Sequence, residues 1–475
     1  MARTGNKRDL TEGRIFTQLL LFVIPMILTG VLQVAYNMAD NIVVGKFSGD
    51  ENALGAVGST ASVTTLFINL LISIASGAGV IIAQSHGAKD DRDVSRAVHT
   101  SMGLSVVMGV ALAVIGIVFC KPILTLMGTK ESFYSNAVLY MTIICIGVPA
   151  SSVYNFGASI LRSIGDSKTS LYILAASGVV NVILNIVFVC ALGMSVDGVA
   201  IATIISQYIS AVWIVLVLIK RKGVSYSLNV KKIRLEPAIL VRIFRIGIPI
   251  AFQSILFSLS NIIVTSALNT FDDAVVSAKA VAFSIEGLTY TSMHAFSNAA
   301  MTFVGQNYGA KKYSRINKVT FFAILQVAVI GILISQTEIF FGEELALLYV
   351  DETLENSAAV IAAVQEIFQI MLATYFLCGV MEVMSGILKA LGFSTVSMIA
   401  CLIGLAFRVS WLIFVVPIER FHTILGLFAS YTLSWILTII LLAICFVYAW
   451  RKLGIMRGAK LEKLNKEQIN EEINV

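Results

Sequence analysis

Charge is what this sequence is short of. Asp, Glu, Lys and Arg make up only 13% of its 475 residues, against about a quarter in a soluble domain. Hydrophobic residues make up 57%, and the mean hydropathy is +0.88. That balance excludes a soluble or disordered chain and places it in the membrane class. The six cysteines (Cys120, Cys145, Cys190, Cys378, Cys401, Cys445) stand singly in apolar runs. Neither a disulfide framework nor a thiolate metal site is expected from them. The sequence has no His-Glu-x-x-His, no Gly-x-Ser-x-Gly and no acid pair at catalytic spacing. A membrane-embedded enzyme is therefore disfavoured. Met1 to Arg14 is polar and basic and the first apolar run is too long for an h-region, so no cleaved signal peptide is expected.

What the sequence does have is apolar runs of spanning length, separated by short polar breaks. Twelve are read, at 15–45, 54–84, 97–120, 136–160, 168–193, 197–219, 240–269, 275–303, 318–341, 360–388, 395–417 and 423–450. The fold expected is an all-α integral membrane protein of twelve transmembrane helices. Its parts are a cytoplasmic N-terminal segment (1–14), a first lobe (15–219), a linker (220–239), a second lobe (240–450) and a charged tail (451–475). Of the 34 Lys and Arg residues, all but Lys46, Lys121, Lys130, Lys279, Arg408 and Arg420 fall on the side shared by both termini. The positive-inside rule puts that side in the cytoplasm. The net charge of +6 is thus an orientation signal, not a nucleic-acid patch.

Within the linker region, Leu235, Ile239, Leu240 and Ile243 oppose Arg234, Arg242 and Arg245, so this stretch is expected to lie along the membrane surface. The acidic stretch from Gly342 to Glu366, with Asp351, Glu352 and Glu355, is expected to face outward, and the tail after Lys460 to be frayed.

The halves repeat. Gln84-Ser-His-Gly-Ala-Lys89 returns as Gln306-Asn-Tyr-Gly-Ala-Lys311, displaced by 222 residues. Leu161-Arg162 followed by Gly165 returns as Leu388-Lys389 followed by Gly392, and Ile24-Pro25 as Ile248-Pro249. Six spans per copy is an even number, so both copies run in the same direction, a parallel internal repeat of the kind found in two-lobed transporters.

Asp40 stands near the end of an uncharged run from Ile15 to Val44. A carboxylate costs several kcal/mol in lipid, so it is expected to face a bundle interior or a wet cavity and to be functional. Tyr36 and Asn37 lie one turn back on its face. Asn155, the pair Asn181 and Asn185, and Thr203 bring oxygen acceptors that would accompany Asp40 around a proton or a hard cation; each alone also fits simple helix-to-helix bonding. The second lobe carries Glu286, His294, Glu382 and Arg408 within spans. Glu382 and Arg408 fall at positions equivalent to Asn155 and Asn181, and a buried ion pair between them is expected. Tyr290, Met293, Phe296, Met301 and Phe303 offer a lining for a bulky, partly apolar guest, although such residues also serve plain packing. Pro25 and Pro249 each remove a helical hydrogen bond, which makes them matched candidate hinges.

The Ile24-Pro25 run with Asn37 and Asp40, the paired Gly-Ala-Lys loops, Leu161-Arg162 with Gly165-Asp166, Asn181 with Asn185, and Gly198-Val-Ala-Ile-Ala-Thr203 together resemble the MATE (multidrug and toxic compound extrusion) family, over roughly residues 10 to 455. They look similar to bacterial members related to its DNA-damage-inducible branch. The resemblance implies a V-shaped pair of lobes in the bacterial cell membrane. It implies a monomer that exports small organic, often cationic, compounds in exchange for protons or Na⁺, with no cofactor beyond that ion. It places the first-lobe ion site on Asp40 with Tyr36, Asn155, Asn181, Asn185 and Thr203. Two positions depart from the family. Asn185 stands where related members have an aspartate, and the seventh span lacks the acid that another branch uses for a second-lobe cation site. A lipid-linked oligosaccharide flippase of the same superfamily is the alternative; it needs a basic cavity, and only Arg408 lies within a span.

Overall fold

The chain was analysed as a computed structural model that describes residues 9–49, 52–350, 357–456 and 458–459. Among these, the chain is helical throughout, without strands. Twelve long helices follow one another. They are α1 (Ile15–Phe47), α2 (Ala53–Gly87), α3 (Asp91–Val118), α4 (Glu131–Ser163), α5 (Ser167–Asn185) and α6 (Val196–Lys220), then α7 (Pro237–Leu268), α8 (Asp273–Gly309), α9 (Tyr313–Phe340), α10 (Ser357–Ala390), α11 (Ser394–Phe414) and α12 (Ile424–Lys452). Among the described residues, eleven are long and apolar enough to cross a membrane. The exception, α8, is a 37-residue helix whose Ser, Thr, Asn and Gln side chains dilute its apolar runs. α10 is interrupted by a 3₁₀ turn at Leu372–Thr374. α5 runs on into a π-helical stretch, Ile186–Ala191. Several helices outrun the apolar stretches read from the sequence, because polar first and last turns continue the helix beyond the hydrocarbon. Of the acidic stretch expected to face outward, Asp351, Glu352 and Glu355 lie outside the described residues, as does the tail from Lys460.

The motifs that betray the repeat turn out to be helix ends. At the end of α2, the N–H groups of Ala88, Lys89 and Asp90 donate to the carbonyls of Gln84, His86 and Ser85; at the end of α8, those of Ala310, Lys311 and Lys312 donate to Gln306, Tyr308 and Asn307. Both turns are closed by a left-handed residue, Lys89 at φ 57° and Lys311 at φ 56°, which satisfies the orphan carbonyls of the last turn. Gly165 and Gly392 do the same at φ 90° and 86°.

Packing divides the chain into two compact units, and the division does not fall between the sixth and seventh spans. Among the described residues, the first unit holds 24–251 and the second 9–23 with 252–459. Both α1 and α7 therefore change unit partway along, next to Pro25 and Pro249 respectively. Each opening half-helix is built firmly into its unit. In the first, Gly247 of α7 lies against α2: a Cβ on Gly77 would stand 2.7 Å from the carbonyl oxygen of Ile243 and 2.8 Å from the amide of Gly247. In the second, Phe22 packs edge-on to Phe303, and Gln326 Nε2 donates to the Phe16 carbonyl at 2.7 Å. Arg315 reaches the carbonyls of Leu10, Glu12 and Gly13 ahead of α1.

The surface helix expected over 235–245 is not separate. α7 begins at Pro237, and Ile239 and Ile243 are fully buried in the first unit, so the apolar stripe faces protein. Ahead of it the linker is tied to α3. Asn229 N–H donates to His99 Nε2 at 3.0 Å, Glu236 pairs with Arg96 at 2.5 Å and Arg234 at 2.6 Å, and Arg242 pairs with Asp93 at 2.9 Å. Desolvation pushes the Glu236 carboxyl up, but the bonds from Arg96 and Arg234 outweigh it and hold the group below its usual value. A depressed acid stabilises above its unfolded pKa and loses that contribution as pH falls through the folded one. The protection of residues 228–236 against hydrogen exchange, taken relative to the intrinsic rate at each pH, should thus hold at neutral pH and fall below roughly pH 4. Glu236→Gln should exchange faster at neutral pH and show no such acid step.

Candidate functional site

In the first unit, the polar positions of four helices converge. Asp40 and Tyr36 lie one turn apart on α1 and face α5, where Asn181 and Asn185 share a face at the same spacing. Asn185 Nδ2 donates to Asp40 Oδ1 at 2.5 Å, and the Thr203 hydroxyl on α6 donates to Asp40 Oδ2 at 3.4 Å. Asn185 Nδ2 also reaches Asn181 Oδ1, and Asn181 Nδ2 reaches Thr203 Oγ1, each at 3.4 Å. Asn181 and Asn185 are buried, at 4% and 0% exposure. The carboxylate is thus met by two donors and no cation. Asn185 Oδ1 is buried without a partner.

A cavity of about 300 Å³ opens onto this cluster, lined by Gln33, Tyr36, Asn37, Asp40, Asn155 and Asn181 among others, with Thr203 and Gln207 on its α6 side. Asn155 lines it but does not reach the acid; its Nδ2 donates back to the Ser151 carbonyl at 2.9 Å. The Tyr36 hydroxyl donates to the Ala175 carbonyl at 3.1 Å, with its ring pressed onto Gly178. The π-helical stretch begins directly after Asn185, and such insertions recur at functional sites because they re-aim the side chains beside them. Gln33 and Gly178 were not singled out from the sequence; Gln207 was read as continuing the face of Thr203. Gln33 lies seven residues before Asp40, two helical turns back on its face, and was findable there; nothing local marks Gly178.

The second unit corrects two expectations. Glu382 and Arg408 do not form an ion pair. The Arg408 guanidinium sits 4.1 Å from the centre of the Tyr431 ring and donates from Nε and Nη2 to the Ser434 hydroxyl, at 3.1 and 2.9 Å. A ring face and a hydroxyl on α12 thus occupy the cation, while Glu382 lies buried on α10. Nor do the cavity-lining candidates line an open surface together. Met293, Phe296 and Phe303 are fully buried and Met301 nearly so, and the Met293 thioether packs against Gly331 and Gly379. Tyr290 is exposed at 42% and stacks on His294, whose Nδ1 meets Asn298 Nδ2 at 3.2 Å. Glu286 accepts a hydrogen bond from the Tyr375 hydroxyl. One acid was missed: Glu338, near the end of α9, is 7% exposed and accepts from the Thr289 hydroxyl at 2.5 Å. It satisfied the criterion applied to Asp40, an acid within an apolar run. Among the described residues no group of three or more His, Cys, Asp or Glu is placed to hold a metal ion.

Comparison with known proteins agrees with this architecture. The MatE family model matches residues 25–187 and again 249–413, so each copy of the repeat is recognised separately. A relative in Bacillus subtilis, described as the probable multidrug resistance protein YoeA, is 28% identical over 94% of this chain and 96% of its own length. A protein of Shewanella oneidensis described as an FAD transporter is 23% identical over 68% of this chain and 72% of its own length. Among solved structures, an outward-facing multidrug resistance MATE transporter of the MOP superfamily superposes with a TM-score of 0.84 at 20% identity, covering 96% of this chain and 99% of that one. A MOP superfamily transporter from Pyrococcus furiosus, whose binding pocket is described as reversed in polarity, gives 0.85 at 21% identity and the same coverages. Twelve long helices in two repeated halves, a family model matching both, and a polar cluster closed over one acid in apolar surroundings make this chain a member of the MATE family of membrane transporters.

Proposed function

We propose that this protein is a secondary active exporter of small organic compounds, many of them cationic, driven by inward movement of protons or Na⁺ through the site at Asp40. The observation that carries this reading is the lone carboxylate of the first unit. It opens onto a polar cavity and is held by donors from two other helices, with no cation paired to it. An ion arriving there has to displace or reorder the bonds from Asn185 and Thr203, so its binding is coupled to the packing of α1 against α5 and α6. A ligand shifts a conformational equilibrium only by its differential affinity for the two states. A site whose acid and donors span three helices has the means to differ between them.

In this reading Pro25 and Pro249 are the hinges. Each stands where its helix passes from one compact unit to the other, and each lacks the amide that would stiffen the turn. Both termini face the cytoplasm of a bacterial cell, following the basic residues. The relatives described as multidrug resistance proteins support an organic substrate; that of Shewanella shows that the family likeness alone does not fix its charge.

The test is ethidium efflux from proteoliposomes, with a pH gradient and a Na⁺ gradient imposed separately. Efflux driven by one gradient names the coupling ion. If neither gradient accelerates efflux of ethidium or of an anionic flavin nucleotide, ion-coupled export is the wrong reading.

A further inference from the structure

The linker between the two repeats carries a feature that the transport reading does not use. After Asn229 the chain makes a 3₁₀ turn at Val230–Lys232 and runs extended to Leu235. In this stretch apolar and basic residues are interleaved, Val-Lys-Lys-Ile-Arg-Leu, and all six are exposed. Val230 is 60% exposed, Leu235 43% and Ile233 37%. Three exposed aliphatic side chains in six residues are costly in water. The stretch is also no loose loop: Asn229 is tied to His99 and Glu236 to Arg96 and Arg234, so its orientation is fixed.

Its depth follows from what it packs against. Ile233 and Leu235 lie on Gly103 of α3, 3.1 and 3.2 Å from where a Cβ would stand, so the missing side chain lets the segment lie flush with the helix. The charges of α3 stop at Arg96, and the next charged residue is Lys121. The uncharged residues between them span about 36 Å at about 1.5 Å per residue, slightly more than the roughly 30 Å of hydrocarbon. His99 to Gly103 therefore sits at the boundary between headgroups and acyl chains, and so does the segment beside it. Aliphatic side chains enter the acyl region there, while lysines extend toward the phosphates.

We propose that Val230–Leu235 is a docking element for anionic phospholipids of the leaflet on the basic side of the membrane, which the proposed orientation makes the cytoplasmic leaflet. Lys231 and Lys232 meet the headgroup phosphate, and Val230, Ile233 and Leu235 seat the segment among the upper acyl carbons. Arg234 and Arg96 share Glu236, so the lysines carry most of the charge that the lipid sees. The element sits immediately ahead of α7, so a bound lipid clamps the start of the helix that crosses between units.

The test reads lipid proximity and not transport. A tryptophan is placed by Val230→Trp in the full-length protein. Its fluorescence, taken as the difference from the parent with its four native tryptophans, is measured in vesicles of phosphatidylcholine with one tenth of the lipid brominated. The brominated fraction is either phosphatidylcholine or phosphatidylglycerol. A headgroup contact of about 1 kcal/mol per lysine, about 2 kcal/mol for Lys231 and Lys232 together, corresponds to roughly a thirtyfold preference for phosphatidylglycerol. Lys231→Gln/Lys232→Gln is expected to bring that preference below about twofold, and Lys231→Arg/Lys232→Arg to keep it. Equal quenching by the two lipids, no quenching by either, or a preference unchanged in the glutamine variant would each overturn the proposal.

Discussion

Asp40→Asn is expected to leave the protein folded and to reduce gradient-driven efflux by roughly 5- to 150-fold, the range of a coupling free energy of about 1–3 kcal/mol. The fold survives because the changes oppose each other. The variant loses charge-assisted bonds from Asn185 and Thr203, each worth about 1.5–3 kcal/mol. It also no longer holds a carboxylate in apolar surroundings, a cost of a few kcal/mol. The new amide keeps one oxygen to accept from Asn185, and only its nitrogen faces a donor. Coupling does not survive. An amide takes up no proton near neutral pH and gives Na⁺ no charge, so neither ion retains a reason to prefer one state. Thr203→Val removes one of the two donors and is expected to fall between the variant and wild type. Asn155→Ala breaks only a bond within α4 and should cost little. Equal efflux by wild type and Asp40→Asn, at equal reconstituted amounts, would remove the carboxylate from the mechanism.

The sequence was most informative where the physics is one-dimensional. Spanning length, loop charge and an acid within an apolar run need only residue order, and they led to the helices and to Asp40. The repeat was legible too, but its motifs owe their similarity to helix caps: Lys89 and Lys311 hold the same left-handed turn. What failed needed side-chain direction. Glu382 and Arg408 fall at matched polar positions, yet the guanidinium turns to Tyr431 and Ser434 on the next helix. A long cation over a ring needs no carboxylate, and no periodicity reveals that choice. Of the stripe read from the linker, Ile239 and Ile243 were given to the wrong neighbour. Amphipathicity says that a face must be covered, and the close approach of Gly77 to Gly247 determined that protein would cover it. The crossing of α1 and α7 between units was invisible for the same reason. Both helices are continuous through their prolines, and only packing shows where one unit ends.

Gly178→Ala is expected to damage transport nearly as much as Asp40→Asn, although it adds a single methyl group and touches no charge. A Cβ at Gly178 would stand 1.8 Å from Cζ of Tyr36, 2.0 Å from Cε2 and 2.3 Å from the hydroxyl. Carbon atoms rest about 3.5–4.0 Å apart, so the whole ring has to leave its place on α5. That move breaks the bond from the Tyr36 hydroxyl to the Ala175 carbonyl. Tyr36 and Asp40 share a helix face one turn apart and line the same cavity, so the displaced ring is driven into the space through which an ion or water reaches the carboxylate. Overpacking of this kind costs about 1–3 kcal/mol, and thermal unfolding in detergent should report that as a lower midpoint. Tyr36→Phe separates the two effects. It removes the hydroxyl bond, worth about 1 kcal/mol, but leaves the ring in place, so efflux should stay close to wild type. Tyr36→Ala in the Gly178→Ala background supplies the decisive comparison. If the methyl group acts through the ring, removing the ring restores part of both the unfolding midpoint and the efflux lost by Gly178→Ala. The coupling energy between the two positions then falls in the range of about 0.5–3 kcal/mol seen for residues in contact. Strictly additive losses would mean that the glycine matters for the packing of α5 itself and not for access to Asp40.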